Sequence, residues 1–267
     1  MNELAVFAGA GGGILGGQLL GWRTVCAVEN DEYARSVLLA RQNDGRFAPF
    51  PVWDDVRTFD GRPWRGVVGV CTGGFPCQDI AACGKGAGIN GSKSGLWREM
   101  ARIIEEVQPR IVFVENSPML TVRGLGRVLG DLASMGFDQE YGVLGAHHAG
   151  APHKRDRIWV LARHPDRNRQ PTISVNAEMA GVPGMVANAN RSQRERDKRT
   201  KRKRAKHADT CGASWWKTEP PVGRVVDELA ARPLRHRAHQ LRAIGNGQVP
   251  ACMALAYRIL EQRMNER

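Results

Sequence analysis

Short apolar runs alternate along the chain with segments whose apolar residues recur every three or four positions. Leu4–Phe7, Thr24–Val28, Val67–Val70, Arg110–Val114, Tyr141–Leu144 and Ile158–Ala162 have the length and content of buried strands. Val52–Arg57 reads as a short strand or turn carrying Asp54 and Asp55. Between them, Glu32–Ala40 and Gly124–Met135 have helical spacing, the second with Gly136 as its stop. Leu96–Gln108 sets Leu96, Met100, Ile103, Ile104 and Val107 on one side of a helix. Leu4–Phe7 runs into Gly9, Gly11, Gly12 and Gly13, then Ile14, Leu15, Leu19 and Leu20: strand, tight loop, helix. Alternating units of this kind predict an α/β class, a doubly wound and mostly parallel sheet with helices on both faces.

The pattern breaks twice. Residues 73–95 are rich in glycine and poor in large apolar groups, which predicts a long mobile loop. Residues 165–220 are polar, basic and irregular, and Pro250–Met264 then returns to helical spacing through Met253, Ala254, Ala256, Tyr257 and Leu260. The expected division is a main domain over 1–164, a small irregular module over 165–240, and a C-terminal segment over 241–267 that packs back on the main domain.

Composition narrows the picture. No apolar stretch approaches the roughly 18 residues of a membrane span, and no basic segment precedes an apolar one at the start, so a cytoplasmic chain without a membrane partner is expected. The six cysteines form no CxxC pair, and the equal spacing of Cys71, Cys77 and Cys83 is too wide for a zinc knuckle; reduced thiols and no metal are expected. The net charge of +12 is local: residues 191–206 hold ten Lys or Arg against Glu195 and Asp197. Such a cluster suits a polyanion, and a solvated loop has the same composition.

Candidate chemistry gathers at strand ends. The glycines after Leu4–Phe7 let the backbone approach a ligand closely, and Glu29, closing the second strand, can bind both hydroxyls of a ribose. That pair does not separate a nicotinamide dinucleotide from S-adenosylmethionine. Asp55 can accept from an adenine amine or cap a turn, and Phe7 can stack on an adenine or belong to the core. Cys77, in Gly73-Gly-Phe-Pro76-Cys77-Gln78, is either a nucleophile beyond a central strand or a buried structural cysteine. Glu115 ends another apolar run. Arg155 and Arg157, two apart, point the same way if their segment is extended.

Taken in order, FAGAGGG at 7–13, Glu29, Asp55, GGFPCQD at 73–79, VENSP at 114–118, HKRDR at 153–157 and GNGQVP at 245–250 resemble the cytosine-C5 DNA methyltransferase family of bacterial or phage type, across nearly the whole chain. The resemblance implies a Rossmann-like S-adenosylmethionine-dependent methyltransferase fold with a small irregular DNA-recognition module at 165–240. It assigns Phe7, Gly9, Gly11, Glu29 and Asp55 to the cofactor pocket, with Pro76 and Leu96 flanking it and Asn246 and Val249 closing it. Cys77 becomes the nucleophile toward carbon 6 of a flipped-out cytosine, Glu115 and Arg157 grip the base, Arg155 organises the pocket, and Asn116 fixes the Pro-Cys loop. Gln78, Lys85, Arg191, Arg194, Arg202, Lys203 and Arg224 are the implied DNA contacts.

The implied reaction moves a methyl group from S-adenosylmethionine to carbon 5, leaving S-adenosylhomocysteine. The expected partner is double-stranded DNA, the chain itself monomeric, the setting restriction–modification. Two departures stand out: Ala81 replaces the usual Ser four residues after the nucleophile, and His153 replaces a Gln ahead of the arginine pair. A tRNA cytosine-C5 methyltransferase and a catalytically silent DNA-binding homologue are the alternatives. The first would use the same Cys and Glu.

Overall fold

A computed structural model describes residues 1–76, 96–167 and 237–267. Its centre is a seven-stranded sheet formed by β1 (Asn2–Val6), β2 (Arg23–Val28), β3 (Val52–Trp53), β4 (Val70–Gly73), β5 (Ile111–Asn116), β6 (Asp138–Leu144) and β7 (Arg157–Arg163). The strand order is β3-β2-β1-β4-β5-β7-β6. The pairs β1/β2, β1/β4, β2/β3 and β4/β5 are parallel, while β7 runs antiparallel to both β5 and β6. The helices are α1 (Gly12–Leu19), α2 (Glu32–Asn43), α3 (Trp97–Val107), α4 (Leu120–Arg123), α5 (Leu125–Ser134), α6 (Arg237–Asn246) and α7 (Pro250–Asn265). The expected doubly wound, mostly parallel sheet is therefore present. The alternation of strand and helix stops at β6, which turns back into β7 through a short 3-10 segment at Ala146–Ala149.

Strand alternation builds the three layers. In β5, Val112 and Val114 face one side with Met100, Ile104, Val128 and Leu132 of α3 and α5, while Ile111 and Phe113 face the other with Tyr257 and Leu260 of α7. In β7, Ile158, Val160 and Ala162 divide from Trp159 and Leu161 in the same way. The period of two thus buries both faces of the same strand, as a sheet covered by helices on both sides requires. Phe113 stacks on Trp159 at 5.4 Å between ring centroids, and Tyr257 meets Phe113 edge-on. This contact is how the C-terminal helix closes the second layer.

Local signals explain most boundaries. Asp31 caps α2 by accepting from the Ala34 N–H at 2.9 Å. The strand expected at Val67–Val70 instead begins at Val70, because Val67 and Val68 both donate their N–H groups to the Trp64 carbonyl in a turn. Val52–Arg57 contains only the two-residue β3, so Asp54 and Asp55 lie in the turn beyond it. β5 runs further than its apolar residues, through Glu115 and Asn116, because β7 continues to pair there. α1 lies close to its neighbours through Gly16: a Cβ there would meet Met253 of α7.

One buried charge has a stability consequence. Glu3, fully buried on β1, accepts from the hydroxyls of Thr24 at 2.6 Å and Thr72 at 2.8 Å. Burial pushes its carboxyl up to about 7, with the two hydroxyls pulling weakly the other way. A raised native value means that Glu3's contribution to stability is intact below its ordinary range near 4.5 and is lost as pH rises through about 7. Glu3→Gln removes that loss. The variant should be more stable than the parent at about pH 8.5, by on the order of 3 kcal/mol, and should lose most of that advantage at about pH 5. Urea unfolding at the two pH values tests this, and an unchanged difference would refute it.

Candidate functional site

The sheet reverses its winding between β1 and β4, one path leading to β2 and β3 and the other to β5. Ligands of such sheets bind in the crevice at that point, beyond the carboxyl ends of the strands. Here the crevice is a small, partly open cleft. Phe7 and Gly9 line it from the β1–α1 loop, Gly13 from the start of α1, Gly74 from just past β4, Glu115 from β5, Asn246 from the end of α6, and Gly247 and Gln248 from the α6–α7 connection.

The glycine loop takes an unusual path. Phe7, Gly9 and Gly11 all have positive φ, at 55°, 55° and 90°. Gly11 caps α1 in the left-handed conformation, the end of the helix where unpaired N–H groups collect. Gly9 has no atom within 4 Å of where a Cβ would stand, so its backbone borders open space. Phe7, a non-glycine in the same region, packs on the core cluster between β1 and α3, and strain of this kind concentrates at ligand sites.

Glu29 follows β2 and is fixed by the backbone. Its Oε2 accepts from the Gly9 N–H and its Oε1 from the Asp31 N–H, both at 2.7 Å. Arg35 steadies the same turn by donating to the carbonyls of Glu29 at 3.1 Å and Asn30 at 2.6 Å. Asp55 is differently engaged: the backbone N–H and guanidinium of Arg57 donate to both its oxygens at 2.7–3.1 Å. Those bonds hold its carboxyl below the usual range. An adenine amine would have to take over one of these contacts.

Pro76 is half-buried just past β4, and Leu96 stands at the N-cap of α3, packed against the core. Val249 is the N-cap of α7.

The second half of the site is electrostatic. Glu115 has a side chain only 12% exposed and meets Arg157 Nε at 2.7 Å. The antiparallel course of β7 produces this pair, because it places the first residue of β7 beside the last residues of β5. Arg157 also donates through Nη1 to the Asp156 carbonyl at 2.8 Å, which orients its fork. Burial raises the Glu115 carboxyl above the usual range, opposed by the charges of Arg157 and Arg155 and by hydrogen bonds from Gln248 and Arg157. Such a group keeps a proton further toward neutrality than an ordinary glutamic acid.

Two neighbouring residues hold backbone in place. Asn116, buried at the end of β5, donates its side-chain amide to the Phe75 carbonyl at 3.0 Å. It thereby anchors the segment just before Pro76. Arg155 has φ of 44°, so the extended path expected from Arg155 to Arg157 does not occur. Its Nη2 reaches the carbonyls of Gly245 at 2.6 Å and Gly247 at 2.5 Å instead, clamping the α6–α7 connection.

The structure thus brings together Phe7, Gly9, Glu29, Glu115, Asn116, Arg155, Arg157 and Asn246. The expected nucleophile Cys77, the expected DNA contacts Gln78, Lys85, Arg191, Arg194, Arg202, Lys203 and Arg224, and Ala81 lie outside the described residues. Among the described residues, no cluster of three or more His, Cys, Asp or Glu is placed to hold a metal. Gln248 is the residue that sequence reasoning missed. It stands inside GNGQVP, and the only signal was a polar side chain just ahead of the apolar start of a helix.

Comparison with known proteins supplies the family. The model of the C-5 cytosine-specific DNA methylase family matches residues 1–222. Type II methyltransferase M.PspPI of Psychrobacter is 33% identical over 170 residues, which are 60% of this chain and 39% of the relative. Type II methyltransferase M.Eco47II of Escherichia coli is 34% identical over 172 residues, 61% of this chain and 39% of the relative. The chain therefore spans well under two thirds of the length of these two relatives. The structure of the Entamoeba histolytica methyltransferase EhMeth superposes with a TM-score of 0.51 at 18% identity, over 63% of this chain and 55% of that one. At that identity the likeness is one of fold, and the sheet described above is a Rossmann-like methyltransferase fold.

Proposed function

The chain belongs to the C-5 cytosine-specific DNA methylase family, and on that premise we propose that it transfers a methyl group from S-adenosylmethionine to carbon 5 of a cytosine flipped out of double-stranded DNA. The observation that carries the reading is the Glu115–Arg157 pair beside the glycine cleft at the sheet's reversal point. A buried acid oriented by a guanidinium suits a heterocycle that must be both gripped and polarised.

S-adenosylmethionine fits the donor set of the cleft. Glu29 offers a carboxylate for ribose hydroxyls, and the open backbone at Gly9 admits close approach. Asn246 and Phe7 border the same space. When bound, the cofactor supplies an electrophilic methyl group on a sulfonium.

This chain's own residues would do the rest. The Cys77 thiolate adds to carbon 6, making carbon 5 electron-rich; the thiolate, not the thiol, is the reactive form. Glu115 hydrogen-bonds ring nitrogen 3 and the exocyclic amine, offsetting charge that develops on the ring during addition. Arg157 donates to oxygen 2, its fork already set by Glu115 and the Asp156 carbonyl, so little reorganisation is left for the reaction. After methylation a base removes the carbon-5 proton and the Cys77 sulfur leaves as carbon 5 and carbon 6 regain their double bond. Extruding the base costs a few kcal/mol of stacking and pairing. The 165–240 module, with its basic run, would supply the DNA contacts in return.

Tritium transfer from labelled cofactor into duplex DNA tests the reading, with transfer into tRNA as the parallel arm. Label is expected in DNA as 5-methylcytosine. Label in tRNA alone would replace the substrate, and no label in either would defeat the assignment.

A further inference from the structure

The α6–α7 connection does more than border the cleft. Arg155 pins its backbone at Gly245 and Gly247, Val249 caps α7, and Pro250 starts that helix. Gln248 is held between those fixed points, so its side chain has little freedom left to lose. On one side lies the start of α1: a Cβ on Gly13 would stand 2.5 Å from Gln248 Oε1. On the other lies the end of β4: a Cβ on Gly74 would stand 2.8 Å from Glu115 Oε2 and 3.1 Å from Gln248 Nε2. The amide thus fills a slot that opens only because both flanking residues are glycine.

Polarity sets its direction. The carbonyl end faces the N-terminal turn of α1, where helix N–H groups are in excess, and the amine end lies with the Glu115 carboxyl against Gly74. A glutamine carries one acceptor and two donors, and this slot uses both kinds. We propose that Gln248 is a positioning residue of the methyl-transfer site, a polar wedge that holds the Glu115 carboxyl in register with the glycine loop on which the cofactor sits. The proposal rests on the methyltransferase reading for its meaning, while the geometry it describes belongs to the chain itself.

Other charged or titratable groups lie near Glu115 on neighbouring elements. Arg157 comes from β7, Arg155 from the turn before it, and Cys252 from the first turn of α7, where burial pushes the thiol up to about 11. None of these is removed when Gln248 is changed, so the variants below isolate one contact.

The test follows the Glu115 carboxyl by carbon-13 NMR titration in the full chain without cofactor, for the parent, Gln248→Leu and Gln248→Glu. Losing a donor to the carboxylate favours the protonated form. The midpoint should rise by about one pH unit in Gln248→Leu and further in Gln248→Glu, where a second carboxylate stands alongside. In the methylation assay, Gln248→Leu should lower kcat about tenfold, raise the cofactor KM several-fold, and move the alkaline limb of the pH profile in the same direction as the titration. Matching unfolding midpoints confirm an intact fold; if the leucine variant does not fold, the glutamate variant decides by its titration alone. Glu115 midpoints that stay in place would overturn the proposal. If the parent transfers no methyl group to any nucleic acid, the functional reading fails, yet the titration still reports whether Gln248 sets Glu115.

Discussion

Cys77→Ala is expected to bring tritium incorporation into DNA down by about 10⁴-fold or more, because the proposed pathway runs through a covalent nucleophile and its loss leaves only what binding and orientation supply. The same substitution should abolish the stable adduct formed when duplex DNA carrying 5-fluorocytosine is incubated with protein and cofactor. The two readouts fail together only if one sulfur serves both. Cofactor binding should persist, since Glu29 and the Gly9 backbone are untouched. Undiminished incorporation by the alanine variant would remove Cys77 from the chemistry. An adduct that survived the substitution would assign the covalent step to another residue.

Glu115→Gln is the second large effect, expected to lower single-turnover transfer by about 10²- to 10⁴-fold. The glutamine has the same shape and can still accept from Arg157, but it has no proton to share with the ring. Burial raises the Glu115 carboxyl, so the protonated form persists to higher pH than for an ordinary glutamic acid and is lost as pH rises through the raised value. The parent should show a falling alkaline limb of that origin, and the variant should lack it. Unfolding midpoints of parent and variant separate the loss of the proton from the loss of the ion pair with Arg157. A variant that keeps both rate and limb would show that Glu115 does not carry the proton.

Much of the fold was legible along the chain. Five of the six apolar runs became strands, the sixth only at its last residue, Val70, and the spacing of Met100, Ile103, Ile104 and Val107 became the buried side of α3. Tyr257 and Leu260 marked the helix that closes the second face. These signals are strong because burial on one face imposes a period that sequence carries directly. The places of Glu29 just after β2 and of Glu115 near the end of β5 were legible for a related reason: each follows directly on an apolar run.

Other features had no local signature. Arg155 reads as extended next to Arg157, yet it turns into the left-handed region to reach Gly245 and Gly247. Gln248 reads as one polar residue in a loop and sits against Glu115.

By itself the sequence determined which segments are strands and helices, where the backbone must turn on glycine, and which side chains have chemistry to offer, because burial periodicity and backbone sterics act over neighbouring residues. The tertiary structure alone decided which of those side chains meet. The decisive case is the direction of β7: apolar alternation is the same whether a strand runs up or down a sheet, and only its antiparallel pairing with β5 carries Arg157 to Glu115.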